Sequence, residues 1–397
     1  MMDRRIHIAL LALLAVGIGL RVHFNDVSSF SRADETTYLD GARTLAPGVF
    51  ARFPQFAADY AKSPELWAFP PPTRWGHWAL LGSACSLSRE CGYHTLAWLS
   101  TLGGIAALIF TGLLARELLG EKAALVAIAL SLAAPLQLHL GRRALQDELA
   151  GAATLAALWA VARALAVDPQ KRSLGRHLFA VIVCTLALAE KETALLWTPA
   201  MAGLWLVRHR ARGWRKEDLL FGLAPLLFVG GFCVLSRSFT LFFIDVRANF
   251  SSLGGSTYVA QYMSGPLHRY PFDLFLLAPI VFLLAVGASG VALLDESPEA
   301  RGLREAALLL ALGLAVWVNT PKDVRYVAAV DGLLRILAAW LLVALATRRR
   351  RAVVLVAILL CVNFGWELQL FHRVSVEREI YDPTTFGILN ALDAIPR

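Results

Sequence analysis

Long apolar runs alternate with short polar breaks along almost the whole chain. An α-helix needs roughly 20 consecutive apolar residues to cross a bilayer. The runs predict eleven spans, with cores at 6–22, 93–115, 121–139, 148–167, 177–190, 192–207, 218–236, 273–294, 304–319, 326–346 and 352–370. The pattern therefore predicts an all-α, polytopic helical membrane protein. The pair 177–190 and 192–207 is short, and one bent element is the alternative to two spans. The first run follows Arg4 and Arg5 and has no small-residue cleavage site after it, so it reads as a retained signal anchor.

Basic residues cluster at 4–5, 116–122, 163–176, 208–216, 301–304 and 348–351. With eleven spans all six clusters fall on one side, the positive-inside pattern. The N-terminus is then cytoplasmic and the C-terminus external. Two large loops lie outside, 23–92 and 237–272, followed by a short external tail at 372–397. Residues 1–371 form one transmembrane domain on this reading.

In the first loop, Asp34 and Glu35 open a short helix on which Tyr38, Ala42 and Leu45 follow at helical spacing. Ser31 can cap it, with Asp34 as the reciprocal partner three residues on. The run Trp75 to Leu87 is too short and polar for a span. With Trp67, Trp75, His77 and Trp78 near it, it reads as an interfacial helix at headgroup depth. The second loop carries Ser251-Ser-Leu-Gly-Gly-Ser256, Tyr258, Tyr262, His268 and Arg269. Its composition suits a mobile lid over a substrate and equally a plain connector. No internal repeat is evident, which weighs against an inverted-repeat transporter.

Composition agrees: 57% of residues are hydrophobic, 17% are charged, and mean hydropathy is +0.57. The net charge of +8 belongs to the cytoplasmic clusters and gives no reason to expect nucleic acid as a partner. Cys184, Cys233 and Cys361 fall in apolar runs as small core residues. Cys85 and Cys91 flank a polar external stretch; spacing leaves a disulfide there open.

Four polar constellations fall on the outer side: Asp34-Glu35; the 139–148 stretch with Arg142, Arg143 and Asp147; Glu190-Lys191-Glu192; and Lys322-Asp-Val-Arg325-Tyr326. Ionisable residues close to hydrocarbon are functional candidates by default. Each also has a plain structural reading. Asp34 can cap a helix, Asp147 can complement a helix dipole, Lys191 can neutralise a neighbouring glutamate, and Arg325 can snorkel. Asp331 and Arg335 stand four apart in the tenth span and read as a structural ion pair. His23, His77 and His139 lack metal-site spacing.

In order, these pieces resemble the GT-C glycosyltransferases, and more narrowly the protein O-mannosyltransferase and lipid A aminoarabinose transferase superfamily. The matching positions are Asp34, Glu35, Tyr38 and Ala42; Pro71-Pro72; Arg143-Ala-Leu-Gln-Asp147; Lys191-Glu-Thr193; and Arg325-Tyr326. The resemblance covers most of residues 1–346. Val327-Ala-Ala-Val330 departs from the Leu-Leu-Pro that often follows the Arg-Tyr pair, and the tail is expected to lack the soluble domain of several relatives.

The resemblance implies a sugar donor carried on a polyprenyl phosphate, used at the external face among membrane lipids, and a hydroxyl acceptor in a protein, lipid or glycan. Asp34 is then the general base, with Glu35 and Asp147 as further catalytic carboxylates. Lys191 and Arg325 would meet the leaving phosphate, with Arg142 or Arg143 behind them and Tyr326 adding a hydrogen bond. Acceptor or lid contacts fall to Tyr38, Tyr258, Tyr262, His268 and Arg269. Three neighbouring carboxylates would suit Mg²⁺ or Mn²⁺, whereas a phosphate met by Lys and Arg has less need of a metal. The bacterial inner membrane, with the periplasm outside, is the expected location. A polyprenyl-linked sugar transporter without transfer chemistry is the alternative.

Overall fold

This computed structural model describes residues 4–25, 33–68, 70–166, 168, 173–255, 263–318, 320–348 and 350–394 of the chain. Every α-helix follows from an apolar stretch or an amphipathic one. In order they are α1 (Arg4–His23), α2 (Ala33–Leu45), α3 (Val49–Lys62), α4 (Trp75–Leu87), α5 (Tyr93–Leu119), α6 (Glu121–Ser131), α7 (Pro135–Gly141), α8 (Asp147–Ala164) and α9 (Leu174–Glu190). Then come α10 (Thr198–Arg212), α11 (Leu223–Ser236), α12 (Phe239–Gly255), α13 (Arg269–Leu277), α14 (Pro279–Leu294), α15 (Arg301–Trp317), α16 (Ala328–Arg348), α17 (Arg350–Phe371) and α18 (Thr385–Ala391). The fold is all-α and polytopic. All eleven expected cores are mainly helical. By length and composition five helical segments among the described residues can cross a membrane, six if the bent pair α6–α7 counts as one span.

The expected span 121–139 is broken: α6 and α7 meet at 64°. Pro135 explains this, since it lacks an N–H and drives the residue before it out of the helical region. Ala134 accordingly has φ −47° and ψ 109°. The expected span 273–294 breaks similarly at Ala278, before Pro279. The 192–207 run opens with a 3₁₀ turn, Glu192–Trp197, before α10. The 237–272 stretch is not all loop: α12 takes up residues 239–255 of it and α13 opens at Arg269. Ser31, Ser256, Tyr258 and Tyr262 lie outside the described residues.

Apart from Asp331 and Arg335, α16 is apolar from Ala328 to Ala346 and is buried over most of its length, as a helix hydrophobic on nearly all sides must be. Arg335 binds Asp331 within α16 at 2.9 Å and Glu367 of α17 at 3.0 Å. α5 crosses α8 closely because Gly103 faces Leu149, where a Cβ would come within 2.9 Å of the backbone nitrogen. That approach sets the start of α8, and so Asp147. Outside the bundle, α2 lies on α4, with Tyr38, Leu39, Ala42 and Leu45 buried around Trp78. Cys85 and Cys91 are disulfide-bonded, closing the turn after α4.

Candidate active site

Asp34 stands in the first turn of α2 and its side chain is 45% exposed. Its neighbour Glu35 points inward and pairs with Arg143, whose Nε donates to it at 2.9 Å. Consecutive helix positions diverge by about 100°, so the two carboxylates serve different places. The buried face of α2 holds this arrangement. Tyr38 is on that face; its hydroxyl donates to Gln146 and its ring packs 5.7 Å from Trp78.

The centre of the site is Arg325, in a 3₁₀ turn Val324–Val327 that leads into α16. Asp323 caps that turn by accepting the Arg325 backbone N–H at 3.0 Å. The same carboxylate accepts Nε at 2.9 Å and Nη2 at 2.7 Å. The guanidinium is thereby fixed, and Nη1 is left to reach Asp34 Oδ2 at 3.3 Å.

Lys191 occupies the extended residue between α9 and the 3₁₀ turn that follows, with φ −154° and ψ 121°. That break turns its side chain inward. Nζ lies 2.6 Å from Asp147 Oδ1 and 4.3 Å from the Tyr326 ring centroid. Asp147, Lys191, Thr193, Arg325 and Tyr326 line one narrow cleft. The site thus combines one exposed carboxylate, one fixed guanidinium and one buried ammonium.

An apolar cavity of about 530 Å³ opens beside it between α8, α9 and α10. Its lining includes Ala187 and Ala194, the two residues whose backbones hydrogen-bond to that of Lys191. Ala157, Leu188, Leu195 and Met201 continue the wall.

Arg142 and Arg143, expected behind Lys191 and Arg325 at the phosphate, are here placed against Glu35 and the segment after α17. Arg142 donates to the Ser375 carbonyl at 2.9 Å, and Arg143 to the Tyr381 carbonyl at 2.7 Å. Together they clamp the segment after α17. His268 is exposed at the start of α13, and Arg269 donates to the Ser264 carbonyl at 2.6 Å. Both line a separate cavity with Phe272, Thr384 and Phe386, which shares no lining residue with the cleft. Asp34, Glu35 and Asp147 each face a different cation. Among the described residues no group of three His, Cys, Asp or Glu is placed to hold a metal ion.

Three residues of the site escape the sequence reading. Arg74 grips Glu192 through two bonds of 2.8 Å and Gln146 through a third of 2.8 Å; its position just after Pro71-Pro72 was the only signal. Tyr381 and Asp382 belong to the expected external tail. They fold back so that the Tyr381 hydroxyl lies 3.4 Å from Asp34 Oδ2 and Asp382 Oδ1 lies 3.2 Å from Arg325 Nε. Burial raises the Asp382 carboxyl to about 6, despite the Arg325 charge beside it.

The comparisons agree with this architecture. A family model described as dolichyl-phosphate-mannose-protein mannosyltransferase matches residues 84–236. No curated protein matches the chain. Among solved structures, ArnT from Cupriavidus metallidurans bound to undecaprenyl phosphate superposes with a TM-score of 0.61 at 16% identity, over 96% of this chain and 68% of that one. The oligosaccharyltransferase of Archaeoglobus fulgidus in the apo form gives 0.59 at 12% identity, over 97% of this chain and 56% of that one. The chain thus spans about two thirds of ArnT and just over half of the oligosaccharyltransferase. Its fold is the GT-C glycosyltransferase fold.

Proposed function

We propose that this integral membrane protein is a glycosyltransferase that moves a sugar from a polyprenyl-phosphate donor to a hydroxyl acceptor at the external face of a bacterial inner membrane. The observation that carries the reading is the meeting of Asp34 with Arg325, beside Lys191, next to an apolar cavity. A polyprenyl-phosphate sugar needs those parts: an apolar wall for its chain, cations for its phosphate, and a base at the sugar. The match to a dolichyl-phosphate-mannose family model and the undecaprenyl phosphate bound in ArnT support the donor class.

The acceptor hydroxyl has a high pKa and attacks poorly until a base takes its proton in the transition state. Asp34 is the exposed carboxylate of the cluster and takes that role. Attack on the anomeric carbon from the face opposite the phosphate inverts its configuration. As the glycosidic bond breaks, negative charge grows on the leaving polyprenyl phosphate. Arg325 and Lys191, held in place by Asp323 and Asp147, meet that charge without rearrangement, which is the condition for large electrostatic stabilisation. Tyr326 backs the ammonium with its ring. Glu35 acts indirectly, by holding Arg143.

The test is release of free polyprenyl phosphate by purified protein from a panel of polyprenyl-phosphate sugars, with acceptor mixtures present. Asp34→Asn is expected to lose at least 10²-fold in turnover, the lower range for a general base, while still binding undecaprenyl phosphate. Near-normal turnover of that variant removes the base assignment. No release by the folded wild type from any donor removes the reaction.

A further inference from the structure

The segment after α17 is anchored at both ends and crosses the site between its anchors. On one side, Ser375 Oγ meets His139 Nδ1 at 2.9 Å and Arg142 holds the Ser375 carbonyl. On the other, the Thr385 backbone N–H donates to Asp273 Oδ1 at 2.6 Å, and Ile388 and Ala391 of α18 are buried. Between them the Tyr381 ring lies under Arg143, 3.8 Å from guanidinium carbon to centroid, and the Tyr381 carbonyl meets Arg143 Nη1 at 2.7 Å and His139 Nε2 at 3.0 Å, contacts that a swing of Tyr381 breaks. Tyr381 and Asp382 are carried across to Asp34 and Arg325.

Arg325 therefore faces three carboxylates, those of Asp34, Asp323 and Asp382. They are not held equally. Asp323 takes two directed N–H bonds from the guanidinium and one from the backbone. Asp34 takes one, from Nη1. Asp382 Oδ1 is buried against Nε with no hydrogen bond to it, since the Nε proton points to Asp323. A phosphate brought to this guanidinium adds a further negative charge, and the weakest-held carboxylate is the one it displaces most readily. Asp382 is held at the guanidinium by charge alone, and a phosphate on the same guanidinium supplies that charge in its place.

We propose that Asp382 occupies the place on Arg325 that the phosphate of a polyprenyl-linked ligand takes, so that ligand binding swings Tyr381–Pro383 out of the site and releases Asp34 from the Tyr381 hydroxyl. This rests on the reading of Arg325 as a phosphate contact. It gives Asp382 a second use. The product, a phosphate monoester, carries more negative charge than the donor diester and would be held more tightly. The return of Asp382 competes with it and speeds its release.

The experiment measures binding of undecaprenyl phosphate to the full chain in detergent, for wild type, Asp382→Asn and Arg325→Ala. Hydrogen exchange of peptides from 375–394 is followed alongside in the wild type, with and without ligand. With Asp382 on Arg325 about nine-tenths of the time in the unliganded protein, its loss raises apparent affinity about tenfold. Asp382→Asn is therefore expected to bind about tenfold tighter, and saturating ligand to speed exchange across 378–384. Unchanged or weaker binding by Asp382→Asn overturns the proposal, as does unchanged or slower exchange in the wild type. If Arg325→Ala binds as well as wild type, or if wild type does not bind, the phosphate-site reading itself fails, a result separable from the first.

Discussion

Replacing Lys191 by methionine separates a catalytic ammonium from a structural one. The side chain is buried, its Nζ lies 2.6 Å from Asp147 Oδ1, and Asp147 is itself buried. Methionine keeps the volume and removes the charge. Breaking a buried ion pair from one side costs about 3–5 kcal/mol, because the partner charge is left behind. Arg325 lines the same cleft as Asp147 and relieves part of that, which places the expected loss near 3 kcal/mol. Adding Asp147→Asn removes the stranded carboxylate. Replacing both members of such a pair is near neutral, so the double variant is expected to regain about 2 kcal/mol of stability. Turnover should behave differently. Losing one preorganised charge from the leaving group costs about 10²–10³-fold, and the double variant has no ammonium to restore it. The assays are unfolding in detergent and polyprenyl phosphate release on the same four proteins of the cycle. Recovery of turnover together with stability in the double variant would refute the argument and leave Lys191 as a neutraliser of Asp147.

Three further outcomes follow from the geometry. Gly103→Ala puts a Cβ against the Leu149 backbone and should cost about 1–3 kcal/mol by overpacking; because α8 carries Asp147, turnover should fall more than in a surface Gly→Ala control, and equal turnover would show that the crossing does not position the site. Replacing Cys85 and Cys91 by serine opens a ring with a sequence separation of 6 and should lower stability by about 2 kcal/mol, read as a lower unfolding midpoint that matches wild type under reductant. Asp382, faced by Arg325 and Asp323 before α16, by Arg143 before α8 and by Asp34 on α2, is raised by burial to about 6. It is charged and competes with phosphate above that pH, and is neutral below it. The affinity advantage of Asp382→Asn for undecaprenyl phosphate should thus be full at pH 8 and shrink toward unity at pH 5, whereas an advantage independent of pH would remove Asp382 ionisation as its cause. The second ionisation of the phosphate, near pH 6, affects both proteins alike and cancels in the ratio.

Hydrophobic periodicity and local chemistry made the membrane class and the helices readable. A run of apolar residues becomes a helix whatever its partners, because the bilayer leaves backbone groups no other way to be satisfied. The Asp34 helix was readable for the same local reason: an acidic first turn followed by Tyr38, Ala42 and Leu45 on one face. The order of the motifs around Asp34, Asp147, Lys191 and Arg325 pointed to the GT-C fold. Where spans broke, at Pro135 and before Pro279, the proline was in plain view, but a hydropathy window averages over it.

Tertiary structure decided which charges meet. Asp34 and Arg325 are 291 residues apart, and Tyr381 is farther still from Asp34; no spacing rule reaches across such distances. Glu35 and Asp34 look like a pair in sequence and part company in space, because a helix turns one inward to Arg143 and the other outward to Arg325. Arg142 and Arg143 read as phosphate ligands, yet the fold gives them the carbonyls of Ser375 and Tyr381. Residues 372–397 read as an external tail because they contain no span, and residues 372–394 of it are described. Their place over the site comes from specific bonds to α7, α13 and the turn before α8. The chain's own sequence fixes local conformation and which stretches enter the bilayer, since those depend on neighbours within a few residues. Partnership among buried charges depends on how whole helices cross, and that is set by packing over the entire bundle.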